Sequence, residues 1–396
     1  MKEKPKLSDL NEKFQTGDVK APVMTAPNMI ELWRFPTPDI TSDTALVRMI
    51  GSGICGTDKH VFTMGEVKLG LPGDVVSLPV ILGHENIGVI EKLGDKASLS
   101  MSADGKRLRV GQRVAITADI ICGECYNCKN LYGFPWCENH RSYGDVISCK
   151  DPPHLFGGYA EKMYILPGTY MFPIPDSVSN EAAVLTEQLA VACGAFGRAY
   201  QSPNSKEGFT PGDSVAIQGV GPLGLANVMM ARMLGSSEII AIDKSPYRLD
   251  LARTLGATKA VDISKVEDPV REILDATGGR GADLVIECTG AQNILSQGLD
   301  MMRLGGTYLV EGAYVEEGPT QISASRQIVA KDARIIGVSG MPFQAYARVL
   351  EMLDKFQKMI PFEKAITHVF EQDDALEAIH TSMSPNSGKV VVGHMK

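Results

Sequence analysis

The sequence predicts an α/β protein in two parts: a small glycine-rich β domain, and a parallel sheet wrapped by helices. Three observations predict it. Short β-branched runs separated by glycines fill the stretch from Ala45 to about residue 117. A glycine turn, Gly219-Val-Gly221-Pro222-Leu223-Gly224, sits between a strand-like run and a helix-like run. Beyond it, apolar strands and helical stretches alternate, the rhythm of a parallel sheet covered by helices.

In chain order, residues 1–22 are charged and proline-bearing and read as an N-terminal extension outside the core. TALVRMIGSG, VILGHENIGVIEKLG and RVGQRVAIT follow as strands of the β domain. Between them, residues 64–79 carry glycines and prolines without a sustained period and read as a surface loop. From Pro211 the pattern changes. DSVAIQ is a strand, the glycine turn follows, and LANVMMARMLG is a helix. EIIAID is the next strand, and Ser245 with Pro246 forms an N-cap and first-turn pair for the helix YRLDLARTLG. TKAVDI, ADLVIE and GTYLVE are further strands, with helices near 268–277 and 292–303. ARIIGVSG closes this part. A helix near 344–359 and the strands AITHVF and GKVVVG are able to return to the first domain.

Composition narrows the function. The 396 residues suffice for two domains. A formal net charge of −8 argues against a nucleic-acid partner, because a phosphate backbone rewards a basic surface. No run of eighteen apolar residues exists and the N-terminus has no secretory signal, so no membrane span is expected and the expected location is the cytoplasm. Of eight cysteines, Cys122, Cys125, Cys128 and Cys137 cluster, a pattern of metal ligands rather than disulfides in such a chain. Cys149, Cys193 and Cys288 stand alone and read as small buried hydrophobes.

The glycine turn is suited to a dinucleotide. Gly219 allows the tight turn, Gly221 lets the backbone approach a pyrophosphate, and Gly224 lets the helix pack closely on the strand. Asp243 ends the second strand about twenty residues on, where a carboxylate accepts the ribose hydroxyls of NAD and repels the extra phosphate of NADP. Lys244 and Arg248 lie near enough to soften that preference, but read first as charges at a helix start. The four clustered cysteines suit a closed tetrahedral zinc site that stabilises the fold. An iron–sulfur cluster is the competing reading, disfavoured because Cys137 is followed by Glu138 rather than proline. A second set is dispersed: Cys55, then His84-Glu85, then Glu187. A catalytic zinc takes about three protein ligands of mixed type and keeps an open position, but spacing alone does not single these residues out.

Taken together, Ile-Cys55-Gly-Thr57-Asp58-Lys-His60, Leu-Gly-His84-Glu85, the cysteine lobe, Phe156-Gly-Gly-Tyr-Ala-Glu161, Leu-Thr-Glu187-Gln188 and the glycine turn resemble the zinc-containing medium-chain dehydrogenase/reductase family. The resemblance runs from about residue 40 onward. It implies a GroES-like β-barrel catalytic domain over 23–188 and 340–396, with its zinc lobe at 120–140. It also implies an inserted Rossmann domain, a doubly wound parallel sheet binding NAD, over 189–339. One catalytic and one structural zinc per chain are implied, with Cys55 and His84 as catalytic ligands and the third from Glu187 or Glu85. The implied reaction moves a hydride between a small alcohol and NAD. Zinc lowers the pKa of the alcohol so that an alkoxide forms near neutral pH. Thr57 and His60 would relay the proton, Asp58 would brace the site, and Thr289 would sit near the nicotinamide half. A glutamate at 187, where many alcohol dehydrogenases carry cysteine, points toward the polyol and threonine branches, and thus toward a secondary alcohol or polyol. The partners implied are the small alcohol or carbonyl substrate and further copies of the chain, as a homodimer or homotetramer.

The chain departs from its relatives in three places. The Cys55–His84 interval is long, which puts the 64–79 stretch near the substrate entrance. The Cys128–Cys137 interval is one residue longer than usual, and Gln188 stands where proline is common. Two rivals are a zinc-free quinone or enone reductase using NADP, and a non-catalytic sensor of zinc and nucleotide. Metal-compatible ligands with Asp243 weigh against the first, and the presence of both Thr57 and His60 weighs against the second.

Overall fold

The computed structural model describes residues 14–65, 76–131, 136–200, 208–312, 318–340 and 342–395. Most of the 64–79 stretch therefore lies outside the described residues. The chain enters its core earlier than the expected extension allows. Phe14 is buried against Trp33, Phe35 and His154. β1 (Val19–Ala26) pairs antiparallel with β2 (Met29–Phe35). Val19, Ala21 and Val23 are fully buried, whereas the Lys20 ammonium reaches Asp373. Pro22 and Met24, on the opposite face, are buried too, so β1 is covered on both sides, which the flanking charges mask in the sequence.

Among the described residues, two large sheets carry the fold. The first is built mainly from the N-terminal half: β3 (Ala45–Gly53), β4 (Glu85–Leu93), β5 (Arg113–Ile116), β8 (Lys162–Ile165) and β9 (Met171–Pro173). Neighbouring strands of this set run antiparallel. The two-stranded ribbon β6 (Asp119–Ile120) and β7 (Arg141–Ser142) flanks the cysteine lobe. The second sheet has β10 (Ser214–Gln218), β11 (Glu238–Asp243), β12 (Lys259–Asp262), β13 (Ala282–Glu287), β14 (Met302–Val310) and β15 (Arg334–Gly337). All its pairs are parallel, and the order is β12-β11-β10-β13-β14-β15. This is the doubly wound order, with its switch point between β10 and β13. The chain then returns to the first sheet, where β16 (Ile366–Phe370) pairs with β17 (Lys389–Gly393), and β17 pairs antiparallel with β3.

The helices that matter for the site are α1 (Gly56–Met64), α2 (Thr186–Ala199), α3 (Pro222–Met233), α4 (Pro246–Leu255) and α5 (Gln344–Phe356). Buried residues of α2, α3, α4 and α5 share one apolar core with Val391 and Met395 from the chain's end. β3 and β4 close a second core with β1, β2 and the buried face of α1. The sequence assigns these periods correctly: the Ser245 hydroxyl accepts from the Arg248 N–H, and Pro246 begins α4. The glycine-rich β domain and the parallel sheet wrapped by helices are both present, as the sequence predicts. No helix of the described residues is long and apolar enough to cross a membrane.

Candidate active site

β3 ends at Gly53 and α1 begins after Cys55, which is its N-cap. The third helical residue, Asp58, reaches back, and its Oδ2 accepts the Cys55 N–H at 2.8 Å. The same carboxylate accepts from the Tyr159 hydroxyl at 3.2 Å, and its Oδ1 faces His84 Nδ1 at 3.5 Å. Asp58 is fully buried. Burial alone would raise its pKa, but His84, the Cys55 N–H and Tyr159 together hold it below the usual carboxylate value. One aspartate therefore ties the Cys55 turn to the His84 turn. For His84, burial opposes a charged ring, yet Asp58 and the Cys55 sulfur outweigh it and raise the pKa well above normal. A place that favours an extra proton favours a cation. Thr57 brings its hydroxyl to 3.9 Å from Cys55 Sγ, and His60 lies three residues further along the same helix, one turn away on the same face.

The two candidate glutamates differ. Both Glu85 oxygens lie 2.5 Å from Lys389 Nζ, and both side chains are 1% exposed. The ammonium also donates to the Ile54 carbonyl at 3.2 Å. Gly53 is needed beneath this pair, since a Cβ there would stand 2.0 Å from Glu85 Oε2. Glu85 is thus committed to a lysine from β17. Glu187, in the first turn of α2, has no hydrogen bond or ion pair among the described residues. Loss of hydration and the nearby Glu85 charge push its pKa up to about 7, against His84 and Lys389. Next to it, Gln188 is buried with neither amide atom bonded among the described residues. Charge interactions link Cys55 and Asp58 to His84, and His84, Asp58 and Glu85 to Glu187, but among the described residues only the four lobe cysteines bring three or more ligand atoms within 4.8 Å of one another. Lys389 and Tyr159 carry the arrangement, and sequence reasoning missed both.

The cysteine lobe gathers as expected. The sulfurs of Cys122, Cys125, Cys128 and Cys137 all lie within 4.8 Å of one another. Cys122 Sγ and Cys128 Sγ are 3.9 Å apart, close to the edge of about 3.8 Å for a tetrahedron with zinc–sulfur bonds of roughly 2.3 Å. Backbone N–H groups point at the sulfurs: Cys125 N–H at Cys122, Cys128 N–H at Cys125, and Cys122 N–H at Cys137, at 3.3–3.4 Å. N–H groups of Glu124 and Cys125 bring the Cys122 thiol down to about 6. The extra residue before Cys137 does not keep that sulfur from the other three.

In the second sheet, Gly219 has φ +82°, a left-handed conformation that glycine adopts without strain. A Cβ on Gly224 would stand 1.9 Å from the Gly219 carbonyl oxygen, so the helix meets the turn as closely as the motif requires. Gly221 caps α3, with Pro222 and Leu223 in its first turn. Asp243 is anchored from both sides, accepting the Val220 N–H and the Ser245 N–H at 2.9 Å. Arg248 is not a solvated charge. It donates to the Ser384 and Ser387 carbonyls at 3.0 Å, and Nη1 lies against Gly221. Thr289 packs its methyl on Gly219 and donates its hydroxyl to Glu287 at 2.7 Å.

Below this turn lies a buried polar group that the sequence did not suggest. Glu311 Oε2 accepts from the Asn227 amide at 2.8 Å, with Cys288 beside both. Burial, with the Glu287 charge adding, pushes the Glu311 carboxyl up to about 8 despite that hydrogen bond. In the unfolded chain it would titrate near 4.5. The folded state thus holds an extra proton between these values. The stabilisation is full below about 4.5 and is lost as pH rises through 8, by at most about 1.4 kcal/mol per pH unit. Glu311→Gln is expected to flatten that part of the stability–pH curve, measured by urea unfolding at a series of pH values. An unchanged slope would show that the carboxyl is ionised in the native state.

A β domain carrying Cys55 and His84, joined to a doubly wound parallel sheet with a tight glycine turn, fits the class of oxidoreductases. The comparisons agree. The alcohol dehydrogenase GroES-like domain matches residues 41–176, and the zinc-binding dehydrogenase domain matches residues 222–355. The 5-exo-hydroxycamphor dehydrogenase of Pseudomonas putida is 32% identical over 363 residues, 91% of this chain and 94% of that protein. The L-threonine 3-dehydrogenase of Bacillus subtilis is 30% identical over 362 residues, again 91% and 94%. The crystal structure of an alcohol dehydrogenase from Thermotoga maritima superposes with a TM-score of 0.84 at 30% identity, covering 95% of this chain and 99% of that one. The chain belongs to the zinc-containing medium-chain dehydrogenase family.

Proposed function

We propose that this protein transfers a hydride between a secondary alcohol or polyol and NAD, with zinc held by Cys55, His84 and Glu187. The observation that carries the reading is the Glu187 carboxylate, without a hydrogen bond or ion pair among the described residues, within electrostatic reach of His84, whose own surroundings of Asp58 and the Cys55 sulfur favour a cation. Glu85 lacks that freedom because Lys389 holds it. A second zinc in the Cys122–Cys137 lobe fits the four sulfurs and serves the fold.

When bound, zinc supplies a Lewis acid for the alcohol oxygen, and the nicotinamide supplies the hydride acceptor. The chain's residues do the rest. Asp58 orients His84 and the Cys55 turn together, the role of a carboxylate behind a metal-binding imidazole. The Thr57 hydroxyl takes the proton that the alcohol gives up, and His60 passes it to solvent, a base whose ordinary pKa suits neutral pH. Gly219, Gly221 and the start of α3 receive the pyrophosphate, with Arg248 Nη1 alongside. Asp243, fixed by two backbone N–H groups, takes the adenosine ribose and disfavours NADP. Thr289 sits toward the nicotinamide half.

The reading includes a homodimer or homotetramer. Supporting it, β15 is the outermost strand of its sheet and leaves Ile335 partly exposed, with Val329 at 77% exposure nearby in the chain.

The test is formation of reduced nicotinamide by zinc-loaded protein across a panel of alcohols and polyols, with NAD and then NADP, before and after chelation. Chelator-sensitive turnover with NAD is expected. No turnover from protein shown to carry zinc would overturn the reading, and an NADP preference above about tenfold would overturn the coenzyme part. His60→Ala is expected to slow kcat by roughly a hundredfold at neutral pH while zinc content stays the same. Loss of zinc would instead give His60 a structural role.

A further inference from the structure

Glu311 and Asn227 form a buried polar pair beneath the glycine turn. Asn227, on α3, is fully buried, and Glu311, the residue after β14, is 7% exposed. The Asn227 amide donates to Glu311 Oε2 at 2.8 Å and to the Leu223 carbonyl at 3.1 Å. One side chain thus ties the end of β14 to the first turn of α3. Glu311 Oε1 and Asn227 Oδ1 have no hydrogen-bond partner among the described residues. The ionisable groups facing Glu311 are Glu287 and Cys288, at the end of β13, while α3 presents the neutral Asn227. The Glu287 carboxylate is committed to the N–H groups of Thr289, Gly290 and Gly312.

The order of the sheet decides which half of a dinucleotide meets this pair. Asp243 ends β11, on one side of β10, and β13 and β14 lie on the other side. A dinucleotide with its pyrophosphate at Gly219 and its adenosine ribose at Asp243 lays its nicotinamide across the carboxyl ends of β13 and β14. The backbone there is packed closely. The Thr289 methyl lies against Gly219, and a Cβ on Gly312 would stand 2.4 Å from the Thr289 nitrogen. Two strand spacings of about 4.8 Å put the end of β14 roughly 10 Å across from the turn.

Resting on the coenzyme half of the reading above, we propose that Glu311, held by Asn227, makes the site discriminate between oxidised and reduced nicotinamide, its carboxylate favouring the cationic ring. The ring is positive in NAD and neutral in NADH, so only the oxidised form gains from a negative group beneath it. Burial, with the Glu287 charge adding, pushes the Glu311 carboxyl up to about 8, so at neutral pH the free protein holds it mostly protonated. A cation beside a carboxyl lowers its pKa. Binding of NAD at neutral pH therefore releases that proton to solvent, and binding of NADH leaves it in place. Affinity for NAD rises as pH climbs through the Glu311 value, and affinity for NADH does not.

The experiment measures Kd for NAD, NADH and ADP-ribose at about pH 6.5 and about pH 9, on either side of the Glu311 value. It uses the zinc-loaded wild type and Glu311→Gln, with Tm and zinc content recorded for both. ADP-ribose keeps the pyrophosphate and the adenosine ribose and lacks the ring. In the wild type, NAD is expected to gain about tenfold over NADH between the two pH values. Glu311→Gln is expected to lose most of that gain, with NADH and ADP-ribose hardly moved. Other titrating groups, His60 among them, remain in the variant, so the difference between the two proteins isolates Glu311. Asn227→Leu combined with Glu311→Leu removes the carboxyl without stranding the amide and should show the same loss, which covers the case of a poorly folded single variant. Equal weakening of all three ligands would show that the pair only fastens α3 to β14 and overturn the proposal. A gain for NAD that persists without the carboxyl overturns it as well. Binding of ADP-ribose with no pH-dependent gain for NAD in the wild type removes only this inference. Failure of the wild type to bind any of the three removes the coenzyme reading with it.

Discussion

Lys389→Met is expected to destabilise the zinc-loaded protein by about 3–5 kcal/mol, because it strands the Glu85 carboxylate as an unpaired buried charge. The pair lies 1% exposed on each side, and its third contact is the Ile54 carbonyl next to Cys55. Removing both charges is a different matter. Two charges taken out of water gain little net stability even when well paired, so Lys389→Met combined with Glu85→Gln should recover most of the loss. Urea unfolding of wild type, both single variants and the double variant measures the coupling directly. A Lys389→Met variant as stable as the wild type would mean that water reaches this pair. The single variant carries a second expectation: Glu85, released from β17, competes with Glu187 for the metal.

Glu187→Ala is expected to remove one of two zinc ions per chain and to abolish turnover. The loss of zinc affinity should exceed the roughly 10–100-fold that loss of a supporting residue costs, since a direct ligand is gone. Metal analysis after dialysis against a weak chelator reads this without reference to activity. Glu85→Ala should keep both ions under the same dialysis. The reverse pattern, zinc lost with Glu85→Ala and kept with Glu187→Ala, would assign the third ligand to Glu85 and make the Lys389 pair a resting arrangement.

The parts of the site that are local in sequence were legible, and those assembled across the chain were not. Gly219, Gly221 and Gly224 lie within one turn, so backbone physics alone reveals their purpose. The four lobe cysteines are close enough that spacing predicts their meeting. Cys55, His84 and Glu187 come from three separate segments, and only resemblance to relatives linked them. Lys389 is 304 positions from Glu85, and nothing in GKVVVG distinguishes a buried lysine from a strand-end charge. The N-terminal misreading was of another kind. Charged residues around Val19 and Ala21 suggested solvent, whereas Val19, Ala21, Val23 and Met24 of β1 are all fully buried.

The route of β17 back to β3 has a consequence for biosynthesis. Cys55 and Glu85 leave the ribosome early, but the lysine that neutralises Glu85 is made some three hundred residues later. Domains tend to fold in the order of their synthesis, so the coenzyme half can complete its sheet while the catalytic half still carries an uncompensated acidic group and an unpaired edge on β3. The glycine-turn side waits on the same late stretch, since Arg248 and Ser245 are held by the carbonyls of Ser384, Pro385 and Ser387. β17 thus works as a latch, pairing with β3 and bringing the Lys389 charge to Glu85 in one move.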